Sequence, residues 1–156
     1  MAERFRAAVD GGSRGTPGLA AWGVAILDDA GRCVEGHGGT IGHATNNVAE
    51  YHALIEALKR AKAAGADQVE IRADAELIVR QIEGRYKVRN PGLVPLHAEA
   101  KHRIAAFPSF RIVHVRRQEN KDADRMANLA LDRGEKAGLG ETVRVLVVPE
   151  PAAEEG

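Results

Sequence analysis

Short apolar runs separated by glycine-rich turns open the chain, and apolar residues at helical spacing follow them. Residues 5–10 read as a first strand, broken by Gly11-Gly12 and by the turn-forming Gly15-Thr16-Pro17-Gly18. Residues 20–27 and 32–41 read as a second and third strand. The turn between them, Asp28-Asp29-Ala30-Gly31, is short enough to predict an antiparallel hairpin. From Val48 onward, Tyr51, Leu54, Ile55, Leu58 and Ala61 predict a long helix that stops at Gly65. Residues 68–73 then read as a fourth strand, 75–82 as a short helix and 84–92 as a loop carrying Arg85, Lys87 and Arg89. Residues 93–107 read as another helix, 110–116 as a fifth strand and 120–136 as the last helix.

This order predicts an α/β fold: a five-stranded mixed sheet, its first three strands antiparallel, with helices on both faces. Residues 1–137 make one domain and 138–156 a C-terminal extension. Within the extension, residues 142–148 are strand-like, and the Pro-, Ala- and Glu-rich residues 149–156 are expected to be disordered. The terminal strand fits a sheet edge, a partner chain or the remnant of a linker equally well. Trp22 lies in an apolar strand and reads as core.

Composition narrows the partners only a little. The chain has 156 residues, 44% of them hydrophobic, enough for one core of its own. Its 22 basic and 22 acidic residues cancel, so a nucleic-acid partner requires positive charge gathered on one face. The single cysteine, Cys33, excludes an intrachain disulfide and suits a reducing compartment. With neither a signal-peptide pattern nor an apolar run long enough to span a bilayer, a cytoplasmic protein without a membrane partner is expected.

Four acidic residues carry the candidate chemistry. Asp10 is read at the end of the first strand and Asp74 at the end of the fourth. Glu50 is read in the first turn of the long helix and Asp124 in the first turn of the last. Each has an ordinary structural explanation. Asp10 suits a turn, Asn47 and Glu50 have capping-box spacing, Asp74 suits a helix cap and Asp124 complements a helix dipole. Those explanations leave the coincidence untouched, because ligand sites in open α/β sheets lie beyond the carboxyl ends of the strands. Four acids gathered there repel one another unless protonated or neutralised by cations. With oxygen donors and no Cys or His among them, the set selects Mg²⁺ or Mn²⁺ over zinc.

The same residues sit in longer stretches that resemble the motifs of type 1 ribonuclease H, in the small bacterial and archaeal form without a basic protrusion. Asp10-Gly-Gly-Ser-Arg-Gly-Thr-Pro-Gly18 resembles the first motif and Thr45-Asn-Asn-Val-Ala-Glu-Tyr51 the second. Asp74 opening a helix resembles the third, and Val115 with Asn120-Lys-Asp-Ala-Asp-Arg-Met-Ala127 the last. The resemblance implies an endonuclease that cuts the RNA strand of RNA–DNA hybrids with two metal ions, leaving 5′-phosphate and 3′-hydroxyl ends. It also implies a monomer that needs no obligate protein partner. Asp10 would bridge both ions, Asp124 would complete one site, and Glu50 and Asp74 would hold the other. Gly11, Gly12, Ser13, Asn46 and Asn47 match positions that touch the hybrid minor groove, where ribose 2′-hydroxyls mark the RNA strand. Thr45 matches a contact to a DNA phosphate. Helix capping is the simpler explanation for the two asparagines.

Several positions depart from the family pattern. Many members carry a histidine on the loop before the last helix, but here that loop reads Arg116-Arg-Gln-Glu-Asn120. His114 falls inside the predicted strand and is read as structural, leaving Arg117 and Asn120 as auxiliary candidates. Ala75-Glu76 after Asp74 and Thr16 in the first turn each weaken an expected substrate contact. Two other functions remain open: another nuclease of the same fold, resembling resolvases or transposases, and a non-catalytic nucleic-acid-binding module. Cleavage of hybrid rather than duplex DNA separates the first, and metal dependence the second.

Overall fold

The computed structural model describes residues 3–15, 17–137 and 142–149. Strands β1 (Arg4–Gly15), β2 (Gly18–Leu27) and β3 (Cys33–Ala44) form an antiparallel meander. Helix α1 (Asn46–Ala63), β4 (Gln68–Ala73), α2 (Glu76–Ile82), α3 (Val94–Ile104), β5 (Ser109–His114) and α4 (Lys121–Ala137) follow. β4 and β5 add parallel to β1, giving the predicted mixed sheet. The tail strand β6 (Arg144–Val147) joins the β3 edge antiparallel, so the order is β5-β4-β1-β2-β3-β6. Of the three possibilities left open for that strand, the sheet edge is the one adopted. Thr16, residues 138–141 and the predicted disordered tail from residue 150 on lie outside the described residues.

Alternation along the strands separates two cores, as the two-residue period of a strand requires. Phe5, Ala7 and Val9 of β1 pack with Tyr51, Leu54 and Leu58 of α1, Ile78 and Val79 of α2 and Ala100 of α3. Trp22 belongs to this buried cluster, as its sequence context predicts. On the other face, α4 supplies Ala123, Met126, Ala130 and Leu131 against small residues of the sheet and Val145 of β6. Helices therefore cover both faces. No helix among the described residues is long and apolar enough to cross a membrane.

Three local expectations fail, each for a visible reason. The first strand does not stop at Gly11-Gly12: β1 stays paired with β2 as far as Gly15. What ends at this point is the parallel pairing to β4, whose last partners are Val9 and Ala73. Asp10 is thus inside a strand, at the position where its neighbour departs. The long helix is capped by Thr45, whose Oγ1 accepts the Val48 N–H at 3.3 Å, and not by a box between Asn47 and Glu50. Asn46 and Asn47 fall inside the helix, and Glu50 lies beyond its first turn. Asp74 does not cap α2, which begins after an extended Ala75 and has no side-chain cap.

Candidate functional site

Two strands and two helices deliver the four carboxylates. Asp10 projects where β1 loses β4, and Asp74 follows β4 directly, so both occupy the carboxyl edge of neighbouring parallel strands. Glu50 reaches them because α1 packs very closely on β1. A Cβ at Gly11 would lie 2.3 Å from the Ala49 carbonyl carbon, an approach only glycine permits. Asp124 stands in the first turn of α4.

Carboxylate oxygens of Asp10, Glu50 and Asp74 lie within 4.8 Å of one another, and Asp10 and Glu50 are buried. Asp124 lines the same cleft outside that tight group. Burial first, and then the charge of Asp74, pushes the Asp10 carboxyl up to about 7. Burial and the charge of Asp10 hold Glu50 well above the usual carboxylate range. Among the described residues, no Lys or Arg forms a salt bridge with any of the four. Glu50 Oε2 is buried without a hydrogen-bond partner. Two carboxyls, Asp10 and Glu50, with raised affinity for protons, an orphaned oxygen and no protein cation fit a divalent metal centre built from hard oxygen donors.

The cleft around these acids has a volume of about 500 Å³. Gly11, Gly12, Ser13, Asn46 and Arg117 line it, whereas Thr45, Asn47 and Asn120 do not. The Ser13 N–H donates to Asn46 Oδ1 at 2.7 Å, tying the β1 backbone to the start of α1. Thr45 sits exposed beside Asn46 as the helix cap, Asn47 is half-buried, and Asn120 is buried behind the cleft. His114 ends β5, level with Ala73, and is exposed.

Two polar lining residues, Arg14 and Asn128, carry no expectation from the sequence. Arg14 pairs with Asp132 at 2.6 Å and Glu135 at 2.8 Å, fastening the tip of β1 to α4. Asn128 lies one helical turn past Asp124 and donates to its backbone carbonyl at 3.0 Å. The i, i+4 spacing from Asp124 is the signal that marks Asn128 as a neighbour of the site.

Residues 8–130 match the family model described as reverse transcriptase-like. The chain is 43% identical over 129 residues to the ribonuclease HI of Halobacterium salinarum, an alignment covering 83% of this chain and 65% of that protein. It therefore spans just under two thirds of that relative's length. The crystal structure of RNase H1 from the same halophilic archaeon superposes with a TM-score of 0.80 at 42% identity, covering 84% of this chain and 99% of that one. LC11-RNase H1, crystallised in complex with an RNA/DNA hybrid, gives a TM-score of 0.77 at 41% identity, covering 83% and 97%. Fold, ordered motifs and relatives agree, and the chain belongs to the type 1 ribonuclease H family.

Proposed function

We propose that this chain hydrolyses the RNA strand of RNA–DNA hybrids as an endonuclease, leaving 5′-phosphate and 3′-hydroxyl ends. The observation that carries this reading is the convergence of Asp10, Glu50 and Asp74 within 4.8 Å in an open cleft lined by Gly11, Gly12, Ser13 and Asn46. Asp10, Glu50 and Asp74, with Asp124 beside them, would hold two Mg²⁺ or Mn²⁺ ions. Such ions activate a water for in-line attack and stabilise the leaving oxygen of a phosphodiester.

The remaining residues select and seat the substrate. Asn46 uses Oδ1 to bind Ser13, which leaves its amide N–H groups free to donate to a minor-groove acceptor. With Gly11 and Gly12 it offers a narrow polar rim suited to ribose 2′-hydroxyls, the feature that separates RNA from DNA. Thr45 accepts a helix N–H through its oxygen and keeps its own hydroxyl hydrogen for a phosphate. Asn47, half-buried in the first turn of α1, holds the rim beside it. Arg117, at the cleft wall, takes the place of the loop histidine of other members and assists departure of the cleaved strand. With no net charge to draw a polyanion, hybrid affinity is moderate and steeply salt-dependent. The reading places the chain in the cytoplasm as a monomer.

The test is cleavage of a labelled hybrid in Mg²⁺ or Mn²⁺ by wild type and by Asp10→Asn. Metal-dependent cutting of the RNA strand that vanishes in the variant supports the reading. Equal cutting of duplex DNA overturns hybrid specificity, and no cutting by folded wild type overturns the activity.

A further inference from the structure

The parallel pairing of β1 with β4 ends at Val9 and Ala73, one residue before Asp10. Beyond that point β1 has no strand on its β4 side. The Val9 carbonyl accepts instead from Asn120 Nδ2, at 2.8 Å. Asn120 ends the short 3₁₀ turn Arg117–Glu119, directly before α4, and its own carbonyl accepts the Asp124 N–H at 3.1 Å. One residue thus links the strand position next to Asp10 to the helical turn that carries Asp124. Its side chain is 2% exposed, and Oδ1 has no hydrogen-bond partner. Burying an amide with one half unsatisfied is unfavourable where an apolar residue would fit, so it is the donor half that the site uses.

The metal reading gives that link a function. Asp10, Glu50 and Asp74 are brought together by sheet register and by the packing of α1, whereas Asp124 comes to Asp10 from α4 and lies outside that mutual group. We infer that Asn120 is a positioning residue that fixes the separation of Asp124 from Asp10, acting as a substitute strand partner where β4 departs. It touches neither substrate nor cation. It sets whether Asp124 and Asp10 can share a cation, while leaving the tight three-acid group intact. The inference rests on the metal-centre reading above.

The experiment compares wild type with Asn120→Asp, which keeps the shape but removes the donor, and Asn120→Ser, which keeps a shorter hydroxyl donor. Mn²⁺ binding to the substrate-free protein is measured by calorimetry, beside thermal melting and the kcat and KM for a hybrid. The expectation is that Asn120→Asp weakens the weaker Mn²⁺ event and lowers kcat by about tenfold or more, the scale typical of lost outer-sphere support. The tighter Mn²⁺ event and KM should stay within about twofold, and Asn120→Ser should recover part of kcat. Unchanged weaker Mn²⁺ binding and kcat in folded Asn120→Asp would overturn the inference alone. So would loss of cooperative melting in both variants, which marks a purely structural role. Wild type that binds no Mn²⁺ and cuts no hybrid would overturn the metal-centre reading with it.

Discussion

Asp10 and Gly23 are direct partners in the β1–β2 register, and Gly23 is where α4 rests on the sheet. A Cβ there would lie 2.2 Å from the Ala123 carbonyl oxygen and 2.6 Å from the Ala127 nitrogen. Both atoms are backbone and flank Asp124, so α4 must retreat to admit a methyl group. Gly23→Ala is expected to cost about 1–3 kcal/mol through overpacking. It should also reduce kcat by more than the fraction unfolded explains, because Asp124 moves with its helix. Denaturant titration beside single-turnover cleavage checks this, and a destabilised variant with wild-type kcat would show that α4 can shift without affecting the site.

Adjacent glycines on the cleft rim divide in the same manner. Gly11 faces the α1 backbone, with Ala49 carbonyl atoms at 2.3 and 2.5 Å from an added Cβ, whereas an added Cβ at Gly12 meets nothing within 4 Å. Gly11→Ala should therefore push α1 and Glu50 away and lose both stability and cleavage. Gly12→Ala should leave stability within about 0.5 kcal/mol, since its strand conformation suits alanine. Its methyl group enters the cleft proposed to receive the hybrid, so KM should rise with the melting temperature unchanged. Equal effects of the two substitutions on stability would contradict the packing that places Glu50.

These glycines also show where the sequence was legible and where it was not. Gly11-Gly12 is a strong local breaker signal, yet the pair stays in β1 because its use is tertiary: close approach of α1 at Gly11 and an open cleft wall at Gly12. Thr45, Asn46 and Asn47 are three consecutive cap-competent residues, and only the helix register chooses Thr45. Periodicity was enough for the strands and the helices, and it put Asp74 at a strand end and Asp124 in the first turn of the last helix. Arg14 and Asn128 stayed hidden because their place on the cleft depends on how α4 docks, a long-range contact with no short motif.

The terminal strand contributes stability at a distance from the chemistry. β6 pairs with Gly36–Gly39 of β3, and Thr40 exchanges hydrogen bonds with Val143, both at 2.9 Å. Val145 is buried against the α4 cluster of Met126, Ala130 and Leu131. Removing residues 141–156 should lower the melting temperature while folded enzyme keeps its kcat, and Val145→Ala alone should cost about 1–2 kcal/mol. A truncated protein with unchanged melting but no cleavage would assign the strand a part in catalysis.

Proton and cation compete for the same oxygens, and this fixes the pH dependence. Burial and the Asp74 charge disfavour the ionised form of Asp10 and push its carboxyl up from the ordinary 3.8 to about 7 in the folded chain. Between about pH 4 and 7 the folded, metal-free chain therefore holds protons that the unfolded chain has released. The stabilisation is present at the acid end of that window and is lost as pH rises through the folded value, by an amount on the order of a few kcal/mol. Asp10→Asn removes the penalty, so without metal it should melt higher than wild type near pH 8 and show little advantage near about pH 4. A divalent cation held by these carboxylates would bind only the deprotonated set, so its stabilisation of wild type should grow across the same range and be absent in Asp10→Asn. Melting curves at the two pH values, with and without cation, are sufficient for the comparison. A cation-induced shift that is equal at both pH values, or that survives in Asp10→Asn, would mean that the ion binds somewhere other than this carboxylate cluster.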